Sequence, residues 1–521
     1  MLRPWVLVAM IGCVAPEDGA RDRVASFSVD TPHAGGERSW RPLTNPAPFG
    51  AALAHLLTDG TVMVQEISSN NWWRLTPDIM GSYSNGTWSQ LASMPADYGP
   101  LYAASAVLPD GRVIVEGGEY LFGNAVWSTR GEIYDPLTNR WQTVNAPPGW
   151  GSIGDASGIV LANGTFMLSD CCTTKSALFD PRTLLWRDTG SGKLDIHDEE
   201  SWALLPDGTV LTVDANNQAN PQAYEIYDPE TGTWTSPGTT PILISDPPSH
   251  EVGPEILRSD GTVLAIGGNG HNAIYDTKSK MWSIAPDLPM QNGMQLDIAD
   301  GPAALLPNGD VLLAASPGVF NPPVTFFEFN GTFKEVAAPP NASGNTSYAN
   351  FLLLLPTGEV MLTDFTNDIE LYTPAAGVAA AAVPVITSVP ALVTKLPARA
   401  LDEGEPPLDG AESTVRLRPL TTIELGRTYK LAGKRFNGIS QGAYYGDDQQ
   451  SSTNYPLVRL TNVVTKHVAF CRTHDHGPMS IAPETRGTTR FDVPATADRG
   501  LANLVVIANG ISSPPILVNV K

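Results

Sequence analysis

The sequence predicts an all-β protein, a seven-bladed β-propeller followed by a β-sandwich, and three observations carry that prediction. A strand-turn-strand unit recurs seven times, an aromatic-Asp-Pro signature ending in tryptophan follows most copies, and an Ala/Pro-rich segment separates these repeats from a shorter run of strands. Composition agrees. Of 521 residues only 17% are charged, 48 are glycine and 45 proline, and no long run of Ala, Glu, Lys or Leu carries helical periodicity.

The seven copies read FGAALAHLLTDGTVMV, LYAASAVLPDGRVIV, IGDASGIVLANGTFML, DEESWALLPDGTVLT, EVGPEILRSDGTVLA, ADGPAALLPNGDVLL and YANFLLLLPTGEVML. Each is an apolar run, a turn ending in glycine and a β-branched run. Asp-Gly and Asn-Gly suit two-residue hairpin turns in which both central residues take positive φ. The turn glycines Gly60, Gly111, Gly164, Gly208, Gly261, Gly309 and Gly358 recur about every 50 residues, the kelch period. Four-stranded units of this period close radially, which removes exposed sheet edges. The third and fourth strands are marked by IYDPLTNRW, LFDPRTLLW, IYDPETGTW and IYDTKSKMW, ending at Trp141, Trp186, Trp234 and Trp282. The last copy has no such tryptophan, whereas RSW stands unmatched before the first hairpin. The N-terminal strand around Trp40 is therefore expected to complete the seventh blade.

The expected boundaries are an export signal over 1–20, a linker over 21–37, the propeller over 38–378, a second linker over 379–390 and the C-terminal domain over 391–521. The N-terminus, MLRPWVLVAMIGCVAPEDGARD, has a basic residue, a short apolar stretch and Gly12-Cys13 before polar sequence. It resembles a bacterial lipoprotein signal with Cys13 lipidated; an ordinary signal peptide is the other reading. Either places the protein at the cell surface or in the periplasm. Membrane contact is expected only through such an anchor, because no other stretch approaches the ~18 apolar residues that span a bilayer. An exported chain with four cysteines is not a disulfide scaffold. Adjacent Cys171 and Cys172 are read as two thiols at a strand end rather than as a vicinal disulfide. The formal charge of -22 disfavours nucleic acid and anionic lipid and leaves a small molecule, a sugar or a cation as partner, with a monomer expected.

In a propeller the first strand of each blade lines the central channel, so residues at one fixed distance before each turn glycine form a ring at its mouth. Nine residues back stand Ala51, Tyr102, Asp155, Glu199, Val252, Asp300 and Ala349, and one step earlier Asp198, Glu251 and Tyr348. Crowded carboxylates raise one another's pKa values unless a cation or hydrogen-bond donors compensate. One reading is bonding to backbone amides and water at strand ends. The other is a metal or polyhydroxyl site. His197, beside the ring in KLDIHDEESW, is a candidate ligand or base, whereas His271 in GGNGHNA lies in a blade turn and is given no role. Asn85, Asn163 and Asn330 match glycosylation sequons, which Asn-Gly turns explain more simply.

The hairpins together with TYKLAGKRFNGISQGAYYGDD and RTHDHGPMS resemble the galactose oxidase-like family, a seven-bladed kelch propeller followed by an immunoglobulin-like early-set domain. The resemblance covers nearly all of the chain after the signal. It implies a mononuclear copper radical oxidase that oxidises alcohols or aldehydes and reduces oxygen to hydrogen peroxide. By that resemblance Tyr102 matches the cross-linked tyrosine, Tyr348 the axial tyrosine and His474 the histidine from the C-terminal domain. Ala51 stands where the cross-linking cysteine is expected and Ala349 where a second histidine is expected, with His476 as a substitute ligand. The alternative is an oxygen-rich site in which Asp155, Glu199, Glu251 and Asp300 hold a hard cation such as calcium. Three functions follow: a divergent copper oxidoreductase, a carboxylate-based glycan-active enzyme, or a non-catalytic binding protein for a cation or carbohydrate.

Overall fold

The computed structural model describes residues 38–393, 420–446, 448 and 450–521. The export-signal reading, with Cys13, and most of the expected strand STVRLRPL lie outside the described residues.

The chain forms a seven-bladed β-propeller followed by a β-sandwich. The first blade runs outward through Ala51–Leu56, Val62–Glu66, Trp72–Thr76 and Thr87–Gln90, and the next five repeat this order. The seventh takes Phe351–Leu354, Val360–Thr363 and Glu370–Thr373 from one end of the chain and Ser39–Pro42 from the other, with Trp40 opposite Tyr372. The expected closure is therefore observed. Among the described residues helix is confined to three 3-10 turns, and none is long and apolar enough to cross a membrane.

The aromatic-Asp-Pro…Trp signature works as a latch. Each tryptophan packs on the aromatic residue opposite it on the paired strand: Trp141 on Tyr134 at 5.1 Å, Trp186 on Phe179 at 4.9 Å, Trp234 on Tyr227 at 5.3 Å, Trp282 on Tyr275 at 5.1 Å and Trp40 on Tyr372 at 4.9 Å. Indole N–H groups then reach the segment leaving the preceding blade, Trp141 to the carbonyl of Ala92 at 2.8 Å, Trp186 to Asn145 at 2.7 Å and Trp40 to Ala337 at 2.6 Å. In these three contacts the ring buries an aromatic face and satisfies its polar edge together, whereas the Trp234 and Trp282 indoles contribute packing alone.

The hairpin turns lie where expected but differ in type. Only the glycine takes positive φ, 77° at Gly60, where its N–H donates to Leu57 at 2.9 Å while Leu57 N–H donates to Thr61 at 2.7 Å. The Asp59 carboxylate accepts from the Thr61 amide at 3.0 Å and hydroxyl at 2.6 Å. That bond holds Asp59 out of the left-handed region and leaves the reversal to glycine, as in longer hairpin loops built on a type I turn. Cys171 and Cys172 also depart from expectation, because they form a vicinal disulfide. The turn that carries them is closed by Asp170, which accepts from the Thr173 hydroxyl at 2.9 Å and brings the two side chains together.

The C-terminal strands pack around Leu431, Val458, Leu460, Phe491, Leu504 and Val506. Val468–Gly477 pairs by its first half with Leu457–Asn462 and by its second with Arg486–Asp492, tying the two layers together. Val385–Ile386 and Ala391–Leu392 pair with Thr428–Lys434, so part of the expected 379–390 linker is an edge strand of the sandwich. Alternate residues there find an open sheet edge, which captures an extended segment more strongly than water does.

From this sandwich, residues 437–446 and 450–455 enter the propeller channel as a finger. Its short strand Ala443–Tyr444 adds to the inner strand Ala303–Leu305 of the sixth blade. Gln441 accepts from the Leu204 amide at 2.9 Å in the fourth blade, Ser451 donates to Ala54 at 2.9 Å and Tyr455 to Leu56 in the first, and Tyr445 donates to the Tyr348 carbonyl at 2.6 Å beside the seventh. Replacing Trp40 by Ala should destabilise the protein by about 3 kcal/mol, because it removes the latch of the closing blade. Urea unfolding checks this; a loss no larger than that of an exposed Trp127→Ala control would contradict the closure role.

Candidate functional site

In three blades the chain turns sharply as it enters the inner strand, and the side chain at that bend belongs to the channel mouth. Tyr102, Glu199 and Asp300 occupy equivalent bends with φ of 53°, 61° and 52°. Left-handed backbone at a non-glycine residue costs about 1–3 kcal/mol and persists where surrounding structure over-determines it, commonly at sites. Glu199, Glu251 and Asp300, from three successive blades, each offer a carboxylate oxygen, and these oxygens all lie within 4.8 Å of one another. Burial raises the Glu251 carboxyl to about 7, an effect that hydrogen bonds from Glu199 and Asp300 oppose and the charges of Asp198 and Glu119 reinforce. Asp155 does not join this triad; it lies near Tyr120, whose phenol is raised mainly by burial, then by Glu119 and Asp155.

Tyrosines close the other side. Tyr102 and Tyr445 both donate to the Tyr348 carbonyl, at 3.2 and 2.6 Å, and their rings lie 5.9 Å apart. Burial, then the charge of Asp300, keeps the Tyr102 phenol well above its ordinary pKa, so it is a neutral donor. The Tyr348 ring instead turns against Phe320 at 5.6 Å. Exposed aromatics rim the mouth: Trp127 (60% exposed) beside Gly154, and Phe320 (41%).

The expected histidine ligands are elsewhere. Along Val468–Gly477 the Thr473 amide donates to Thr58 at 3.0 Å and the His476 amide to Pro109 at 3.0 Å, both in hairpin turns. This backbone pairing fixes the segment on the turn face, and the inner strand Ala104–Val107, about 13 Å long, stands between that face and Tyr102. His474 bonds Asp475 at 3.1 Å and Asp492 at 3.4 Å; these hydrogen bonds raise it although burial opposes them. Burial, then the charge of His474, lowers His476 to about 3, and its Nδ1 meets the Thr489 hydroxyl at 2.9 Å. Neither histidine joins Tyr102 and Tyr348, and Ala51 and Ala349 supply no ligand. The tyrosine–histidine set of the copper oxidases is therefore not assembled, and the residues present do not fit that metal.

His197 also turns away. It is fully buried between Trp202 and Trp234, where burial and then the charge of Lys193 hold it well below its usual pKa. Beside it lies a second carboxylate group, Asp195, Glu200, Asp214 and Glu225, but the Lys193 ammonium already occupies its centre, 2.7 Å from Glu200 and 2.5 Å from Glu225. His271 pairs with Asp287 at 2.9 Å on the surface.

No protein-family model matches the chain. A Kelch-like protein of Aspergillus terreus, terF, is 29% identical over 96 residues, 18% of this chain and 20% of that protein, so the chain matches about a fifth of that relative's length. A fungal alcohol oxidase of the AA5 family, in complex with copper, is 13% identical over 94% of this chain and 100% of that one, with a TM-score of 0.47. Virginiamycin B lyase from Staphylococcus aureus is 11% identical over 65% of this chain and 99% of that one, with a TM-score of 0.42. The propeller assignment stands on the sheet topology; these distant likenesses assign no residue.

Glu119, Tyr120, Tyr445 and Asp448 belong to the mouth and were not singled out by the repeat. Glu119 and Tyr120 follow a second strand, outside the nine-residue count, whereas GAYYGDDQQ carried a readable signal, aromatic and acidic residues between glycines in an otherwise β-branched domain. The raised Glu251 carboxyl has a signed consequence. Its neutral form is favoured in the fold, so its cost is absent below pH 4.5, grows as pH rises and is complete above about 7, on the order of 3 kcal/mol. Glu251→Gln should therefore flatten the stability profile between pH 5 and 8 in chelator, measured by denaturant unfolding.

Proposed function

We propose that the channel mouth is a calcium-type divalent-cation site and that the protein is an exported, monomeric binding protein that uses the cation to hold a carbohydrate. The observation that carries this reading is the convergence of the Glu199, Glu251 and Asp300 oxygens within 4.8 Å. Hard cations of this class take six to eight oxygen ligands, so three carboxylates leave positions for water or paired hydroxyls. The exposed Trp127 and Phe320 rings offer apolar faces of the kind that sugar rings cover. Cell-surface placement rests on the N-terminal signal, with Cys13 as the lipid-bearing residue.

One observation favours a second reading, a glycan-active enzyme. Glu251, raised to about 7, holds a proton near neutrality beside two further carboxylates, as a general acid does. The copper oxidoreductase implied by the family resemblance lacks its ligand set here, because His474 and His476 lie on the turn face.

Metal analysis and calorimetric titration decide among these. About one equivalent of calcium per chain is expected, with Glu251→Gln and Asp300→Asn weakening it at least tenfold and His474→Ala leaving it unchanged. Copper at one equivalent with peroxide formation from alcohols, or no metal uptake at all, would overturn the proposal. Calcium-dependent release of reducing ends from a glycan would favour the second reading.

A further inference from the structure

We infer that the Cys171–Cys172 disulfide is a redox modification site whose reduction loosens the channel mouth and weakens its hold on a cation; this rests on the cation reading of that mouth. The disulfide sits in the turn 170–174, which is wedged between two of the segments that deliver ring carboxylates. On one side, the Cys171 amide donates to Ile153 at 3.1 Å, and the Asp170 carboxylate accepts from the Ser152 hydroxyl at 2.9 Å. Gly154 and Asp155 follow directly. On the other side, the Thr173 carbonyl accepts from the His197 amide at 3.2 Å, two residues before Glu199.

Cys171 is closely packed. Cys171 is fully buried, and a Cβ placed on Gly154 would come within 2.7 Å of its sulfur and 3.3 Å of the Trp127 ring. Bonded sulfurs lie about 2 Å apart, whereas two non-bonded thiols need roughly 3.5 Å. The extra separation presses Cys171 toward Gly154, next to Asp155, or moves Cys172 outward beside Thr173. Each direction leads to a ring residue.

Chemically, the thiolate of a dithiol reductant attacks the sulfur of Cys172, the less buried of the two cysteines, and Cys171 leaves as a thiolate and takes a proton. The second thiol of the reductant then releases Cys172, so the chain gains two thiols and the reductant becomes a disulfide.

The test uses the full chain, oxidised and after complete reduction with dithiothreitol, the thiols being counted by mass spectrometry. Reduction should speed hydrogen exchange at the Cys171 and His197 amides at least tenfold and weaken calcium at least tenfold in calorimetry, and Cys172→Ser should match the reduced protein. Unchanged exchange overturns the inference whatever calcium does. Faster exchange with unchanged calcium affinity overturns the coupling. An oxidised protein that binds no calcium removes the cation reading and this inference with it, and the exchange result then shows separately whether the turn still answers to redox state.

Discussion

The hydrogen-bonded finger in the channel is the contact on which the rest of the structure depends. Seven inner strands present backbone groups to a central space, and buried groups without partners are costly. The finger meets that need through Gln441, the Ala443–Tyr444 strand, Ser451 and Tyr455, which together bond inner strands of the first, fourth and sixth blades. The finger thereby joins the two domains, plugs the channel below its mouth and carries Tyr445 to the ring. The sandwich then has one seat available, the turn face, where Phe470 lies over Gly60 so closely that a Cβ there would meet its ring at 2.3 Å.

The same plug sets the chemistry of the mouth. With the channel filled from below, Glu251 is 6% exposed and its carboxylate is short of water, which raises its proton affinity. Strained bends at Glu199 and Asp300 keep the other two carboxylates aimed at it. Three acids held together against their repulsion favour whatever neutralises them, a proton or a cation. Lys193, the buried ammonium among four carboxylates in the fourth blade, shows the alternative in this same molecule, with a side chain supplying the positive charge. The difference between a closed ion cluster and an open site is therefore one lysine, and no lysine is found beside the mouth carboxylates among the described residues.

The family resemblance and the ring count led to different places. Counting back from the turn glycines found Glu199, Glu251 and Asp300, because a radial repeat converts sequence offset into position around an axis. Matching RTHDHGPMS to a ligand loop placed His474 and His476 in the channel, whereas the loop that enters it is GAYYGDDQQ and its neighbours. Both segments come from the same domain with similar residues nearby. Only the pairing of Val468–Gly477 with Arg486–Asp492 and its backbone bonds to Thr58 and Pro109 commit the histidines to the opposite face.

The sequence by itself determined the blades, their number, the Trp40 closure and the identity of the ring, since each depends on local periods that repeat at fixed spacing. Tertiary structure decided which loop fills the channel, that Cys171 and Cys172 are joined, that His197 faces a buried lysine and that three of the ring carboxylates converge. Those outcomes depend on contacts between segments far apart in the chain, and no local period encodes them.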